Sequence, residues 1–85
     1  DSPLALNNRG YTKNMLKDYK GALEDINASL AVYPSNSYAF KNRALVYIAL
    51  QEKEKACEDI EQALKLEFTK VWGDEVLILQ KANCL

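Results

Sequence analysis

Displaced by 34 positions, the chain reads against itself without a gap. Residues 1–34 laid on 35–68 give nine identities: Ala5/Ala39, Asn8/Asn42, Arg9/Arg43, Leu16/Leu50, Ala22/Ala56, Glu24/Glu58, Asp25/Asp59, Ile26/Ile60 and Leu30/Leu64. Unrelated segments of that length would share roughly two. Four further pairs are similar in kind: Leu6/Phe40, Gly10/Ala44, Asp18/Glu52 and Val32/Leu66. A unit this short cannot bury its apolar face alone. A repeat in register therefore predicts copies that stack and share a core.

Each unit reads as two helices. Ser2-Pro3 is a start signal, a hydroxyl N-cap followed by Pro at the first helical position, where its missing N–H costs nothing. Leu6, Gly10, Lys13 and Leu16 follow at helical spacing, and "KDYKG" breaks the pattern, with Asp18 as the next cap. Ala22, Leu23, Ile26, Leu30 and Val32 form a second stripe, which Pro34 stops. "SNS" restarts the cycle, with Asn36 or Ser35 as cap. Helix three carries Phe40, Ala44, Tyr47, Ile48 and Leu50; "QEKEK" turns the chain; helix four carries Ala56, Ile60, Ala63, Leu64 and Leu66. No window of alternating β-branched residues predicts a strand. Gly10 and Ala44 sit mid-helix, opposite Ala22 and Ala56, and small residues at both places predict a close approach of two antiparallel helices.

A helix–turn–helix unit of this period resembles the tetratricopeptide repeat. The first unit matches its pattern with Leu6, Gly10, Ala22, Ile26 and Pro34; the second matches with Phe40, Ala44, Tyr47, Ala56 and Ile60. Arg9 and Arg43 depart where Leu is usual, Lys13 where Tyr is usual, and Phe68 where Pro is usual. The likeness covers 1–68, about four-fifths of the chain, in the style of short bacterial repeat proteins. It implies an all-α right-handed solenoid of two repeats, 1–34 and 35–68, followed by a connection and a capping helix in 69–85. Asp74 is the expected cap of that last helix, read over 73–85, and Val76, Leu77, Ile78, Leu79, Ala82 and Leu85 are its apolar content. Trp72, in the connection, is expected to plug the end of the core.

The resemblance also implies a concave groove lined by the first helix of each repeat. Its face carries Asn7, Asn8, Tyr11 and Asn14 in the first unit, and Tyr38, Lys41, Asn42, Leu45 and Ile48 in the second. Amides read backbone groups and tyrosine rings supply area at low entropic cost, so the face suits an extended peptide or protein segment. The plainer alternative is a solvated face. Tyr11, Asn14, Lys41, Asn42 and Leu45 are expected to be largely accessible, since they lie off the apolar stripes. Some relatives grip a C-terminal carboxylate with paired basic residues and asparagines. Asn42 resembles the middle Asn of that arrangement, but Asn7 and Tyr11 stand where Lys and Asn are required, so a complete clamp is not expected.

Arg9 and Arg43 recur in register with Asp25 and Asp59, as repeating internal ion pairs would; an anion contact is the alternative. Cys57 and Cys84 are 27 residues apart, which fits no zinc spacing. Cys84 lies within reach of helix four, so a disulfide and two idle thiols are both compatible, and idle thiols are the expectation. Histidine is absent, the adjacent acids at 24–25 and 58–59 diverge on their helices, and no Gly-rich phosphate loop occurs. No enzyme, metal or cofactor is expected. A net charge of −1, from 11 basic and 12 acidic residues, gives no electrostatic reason for nucleic acid or an anionic membrane as partner. The longest apolar run, 44–50, is far below the ~20 residues of a membrane span. With Asp at position 1, the chain is expected to be a fragment or a processed product. The expected role is a protein-interaction scaffold. The alternative is the C-terminal structural piece of a longer array, or a self-associating module with no ligand of its own. Three or more repeats are usually needed for independent stability, which favours homo-oligomerisation or extension by further repeats.

Overall fold

The computed structural model describes residues 2–84. Asp1, and Leu85 from the expected last helix, lie outside the described residues. The fold is all-α among the described residues, in paired helices compatible with the expected tetratricopeptide-like repeat. Helices α1 (Pro3–Met15) and α2 (Tyr19–Val32) form one antiparallel pair, and α3 (Ser37–Ala49) and α4 (Lys53–Lys65) a second. A short α5 (Phe68–Trp72) and α6 (Glu75–Asn83) follow, and α6 lies against α4. Helix α3 also packs on both α1 and α2, which joins the pairs.

Helices α1, α2 and α3 begin at side-chain caps. Ser2 Oγ accepts the Ala5 N–H at 3.1 Å, and Asp18 accepts that of Gly21 at 3.0 Å. Asn36 Oδ1 accepts from Tyr38 and Ala39 at 3.1 and 3.3 Å. Asp74 stands at the N-cap of α6 but its side chain makes no capping bond. Its ψ of 7° lies outside the extended region from which a cap side chain reaches forward.

The turns inside the two pairs are the same structure. Lys17 and Gln51 occupy the left-handed region at φ 65° and 61°. The next N–H closes back on the helix in each case, Asp18 to the Lys13 carbonyl and Glu52 to the Tyr47 carbonyl, both at 2.8 Å. With the bonds from Lys17 to Asn14 and from Gln51 to Ile48, each end is a full Schellman motif. Glycine is the usual residue there, and neither turn has one, so the sequence carries no obvious mark of them.

Packing centres on the small residues. A Cβ added at Gly10 would lie 2.7 Å from Ile26 Cγ1 and 3.1 Å from the Ala22 carbonyl oxygen. One buried cluster holds Ala22, Ile26, Ala39 and Val46 where α2 meets α3. The other holds Ala44, Ile60, Ala63, Phe68 and Val76, linking α3 and α4 to α5 and α6. Leu16 and Val32, expected on the inner stripes, are instead exposed. Leu16 is already the C-cap residue of α1 and Val32 the last residue of α2, where the stripes have run past the partner helix.

Three expectations for the C-terminal part need correction. The connection contains a helix, α5, starting at Phe68, because no Pro follows α4 to hold the chain extended. Phe68 is fully buried and closes the core; Trp72 is 54% exposed and meets the Tyr38 ring edge-on, centroids 4.9 Å apart. Cys57 and Cys84 are joined in a disulfide rather than idle, tying α4 to the C-cap of α6. The docking of α6 on α4 brings their Cα atoms to 5.8 Å, within the range a disulfide spans.

Gly10→Ala should lower stability by about 1–3 kcal/mol from overpacking, although Ala is the better helix former by ~1 kcal/mol. Ala44→Leu, at a position with no exposed surface, should cost at least as much. Urea denaturation checks both, and an unchanged midpoint for either would rule out the close helix approach.

Candidate functional site

The face made by α1 and α3 is built on two ion pairs and a buried polar seam. Arg9 grips Asp25 side-on, Nε to Oδ2 at 2.8 Å and Nη2 to Oδ1 at 2.9 Å. Lys13 Nζ adds a third contact to Oδ2 at 3.0 Å. Arg43 repeats the fork on Asp59, 2.8 Å for each bond. Both carboxylates are buried. The two arginines thus make the repeating internal ion pairs expected of them, with the Arg9 side chain still 55% exposed. Arg43 Nη1 also donates to Asn27 Oδ1 at 2.9 Å, a polar tie between α3 and α2. The Arg9 hydrogen bonds hold the Asp25 carboxyl down at about 2, against the opposing push of burial and with further help from Lys13.

The seam differs from the open face expected of it. Asn7, Lys41 and Asn42 are buried, the last two only 2% and 1% exposed. Asn42 Nδ2 donates to Asn7 Oδ1 at 2.9 Å, bridging α3 to α1. The reason is the stacking itself: with α1 and α3 side by side, the residues one step off the core stripe face each other across the helix gap. Lys41 Nζ sits 4.3 Å from the Tyr38 ring centre and 5.2 Å from that of Tyr11. The nearest carboxylate, Glu75 on α6, is 3.6 Å away. The ammonium is thus held by two π-faces and one longer ion pair. Asn42 Oδ1 and Asn14 Oδ1 are buried with no hydrogen-bond partner among the described residues.

Of the residues assigned to the groove, Asn8 and Tyr11 are exposed, and Asn14, Tyr38, Leu45 and Ile48 are half-buried. A cavity of about 260 Å³ opens beside them, lined by Leu4, Asn7, Asn8, Asn36, Tyr38 and Trp72. It joins the start of α1, the start of α3 and the end of α5. Leu4, Asn36 and Trp72 were missed because their places come from helix ends and from α5, not from the repeat's inner stripe. A second hollow of about 330 Å³ lies between Ile48, Gln51 and Lys53 and the end of α6 at Ala82 and Asn83. Among the described residues no cluster of three metal-ligating side chains forms, and no helix is long and apolar enough to cross a membrane.

With this geometry in hand, the likeness to known proteins is specific in kind and short in reach. Over 53 residues, 62% of its length, the chain is 42% identical to tetratricopeptide repeat protein 34 of Mus musculus. The chain spans about 10% of that relative's length. No protein-family model matches the chain, and no solved structure matches it. The aligned stretch and the all-helical fold relate the chain to tetratricopeptide-repeat proteins.

Two outcomes follow from the polar seam. A carboxyl whose folded pKa is depressed stabilises fully above its unfolded value of 3.8, and that contribution is lost as pH falls through about 2. The partner Arg9 is 55% exposed, so the contribution is discounted for solvent to about 1–2 kcal/mol. Urea midpoints should therefore fall between pH 4 and pH 2, and Asp25→Asn should flatten that share of the fall.

Asn42→Ala leaves Asn7 Oδ1 without its donor and should cost about 1–3 kcal/mol. The melting temperature should drop by roughly 4–8 °C per kcal/mol. An unchanged melting temperature would return Asn42 to the list of free groove contacts.

Proposed function

We propose that the chain is a non-catalytic protein-interaction module that binds an extended peptide or protein segment along the α1–α3 face. The observation that carries this reading is the cavity lined by Leu4, Asn7, Asn8, Asn36, Tyr38 and Trp72. It combines apolar surface with side-chain amides, the chemistry that receives one anchoring side chain and the main chain beside it. The contact set is revised from the sequence: Asn8, Tyr11, Asn14, Tyr38, Leu45 and Ile48 meet the ligand, while the buried Asn7, Lys41 and Asn42 hold α1 and α3 in place beneath them. The working units are 1–34, 35–68 and 69–85, the bacterial style of the repeats being part of the same proposal.

A second reading rests on a different observation. Val71 and Ile78 are about two-thirds exposed on α5 and α6, and Leu4 is equally open at the other end of the stack. Apolar residues at both ends of a repeat stack suit extension by further repeats, or self-association. Light scattering separates the two: a tight dimer that covers Asn8 and Tyr11 would remove the peptide reading.

The test of the first reading is selection from a random peptide phage library, followed by titration of a selected peptide into labelled protein. Asn8→Ala and Tyr11→Ala should each weaken that peptide by about fivefold or more, with helical circular dichroism unchanged. Resonance shifts confined to α4 and α6, or affinity indifferent to both substitutions, would place binding elsewhere.

A further inference from the structure

The C-terminal helix α6 is held to the rest of the chain by little besides its disulfide. Val76 is its one buried residue, with Leu79 packed at the edge of the same cluster. Its N-cap makes no side-chain bond. The residue before the cap, Gly73, turns the chain at φ 98°, a left-handed conformation that only glycine adopts freely, and a Cβ there would meet nothing within 4 Å. Its ion pair to the repeats, Glu75 with Lys41, spans 3.6 Å, and the Glu75 side chain is half exposed. At the opposite end of α6 stands the covalent tie, Cys84 to Cys57 on α4, and both cysteines are only half-buried.

Two things follow from that arrangement. The tie closes a loop of 27 residues that runs from within α4 through all of α5 and α6, so its loss returns that loop's freedom to the chain after Cys57, where α4 stays packed on α3, rather than to α1–α3. And what α6 presents to the repeats is a carboxylate, set against the buried ammonium at the centre of the α1–α3 face.

We propose that the Cys57–Cys84 disulfide is a redox latch: its reduction frees α6, withdraws Glu75 and uncovers Lys41. The reductant is a dithiol. Its thiolate bonds to one cystine sulfur and the other sulfur leaves as a thiolate, which takes up a proton. The second thiol of the reductant then closes its own disulfide and releases the remaining cysteine. Two electrons and two protons pass from the dithiol to the protein. With the tie gone, the contacts of Val76 and Leu79 and one long ion pair are left to hold a nine-residue helix. A helix that short does not persist alone in water, so α6 unfolds as it leaves. Reoxidation by a disulfide reagent restores the closed state.

Two readouts on the whole chain, oxidised and then reduced with dithiothreitol, test this. Hydrogen exchange followed amide by amide should quicken on the order of 100-fold in α6, while the protection of α1, α2 and α3 is kept. Acetylation of Lys41 by a hydroxysuccinimide ester, located by peptide mass, should quicken about tenfold as the ammonium becomes accessible. Cys57→Ser with Cys84→Ser should match the reduced chain and ignore dithiothreitol; reduction of the unmodified chain gives the same reading if that variant fails to fold. Unchanged α6 exchange and Lys41 labelling on reduction would overturn the latch, leaving the disulfide an inert tie. Loss of protection in all helices together would overturn it too, making the disulfide a staple for the whole fold. Neither readout uses a ligand, so the outcome is separate from the peptide-binding reading.

Discussion

At Gly10 the backbone of α1 comes so near α2 that a methyl group would lie 2.7 Å from Ile26 Cγ1 and 3.1 Å from the Ala22 carbonyl oxygen. That closeness positions the neighbouring side chains. One residue earlier, Arg9 is brought within 2.8 Å of Asp25, and one turn later Lys13 reaches the same carboxylate at 3.0 Å. In the second pair Ala44, fully buried against Ile60 and Ala63, stands at the corresponding place, and Arg43 beside it forks onto Asp59 at 2.8 Å. A wider helix pair would leave these carboxylates buried without their charge partners, a strongly unfavourable state. The small residue and the ion pair are therefore one device: the first permits the approach, and the second fixes the register at which it happens.

The joint between the pairs uses different chemistry. Between α2 and α3 its core is apolar, through Ile26, Ala39 and Val46, with the exposed Arg43–Asn27 hydrogen bond at the edge. Between α1 and α3 it is polar, through the Asn42–Asn7 amide bond and Lys41 enclosed by Tyr11 and Tyr38. Polar groups at a joint demand specific partners, so they select one relative placement of the helices where an apolar surface would tolerate several. Of this seam, Asn7 lines the cavity beside Tyr38 and Trp72. In the proposed binding role, the buried residues of this face would set the shape that the exposed ones offer to a partner.

The four long helices, their caps at Ser2, Asp18 and Asn36, and the repeated Arg–Asp pairs were legible because each rests on short-range spacing. Caps need only a side chain near its own backbone, and a pair in register with its copy needs only the period. Of the residues read as lining a groove, Asn7, Lys41 and Asn42 went from surface to interior. Which face of a helix is buried depends on every element packed on it, and α3 is packed on both α1 and α2. A lysine also reads as exposed by type, and its enclosure by two tyrosines from different helices has no signature in spacing, although Tyr38 at three residues before Lys41 is half of it. The C-terminal part was the least legible, since it departs from the period and so had no second copy to be read against.

By itself, then, the sequence determined what is periodic: helical class, pair length, the positions of close approach and the charges that accompany them. These are set by local propensity and by an apolar pattern that one period repeats. Tertiary structure alone decided that Phe68 rather than Trp72 closes the core, that Cys57 and Cys84 meet, and that Lys41 lies beneath Glu75. Each of those depends on where α5 and α6 come to rest, and that placement follows from apolar area on α4 still needing cover. Burial is non-directional, so it brings such segments down onto the core without recording in their sequence which residue will land innermost.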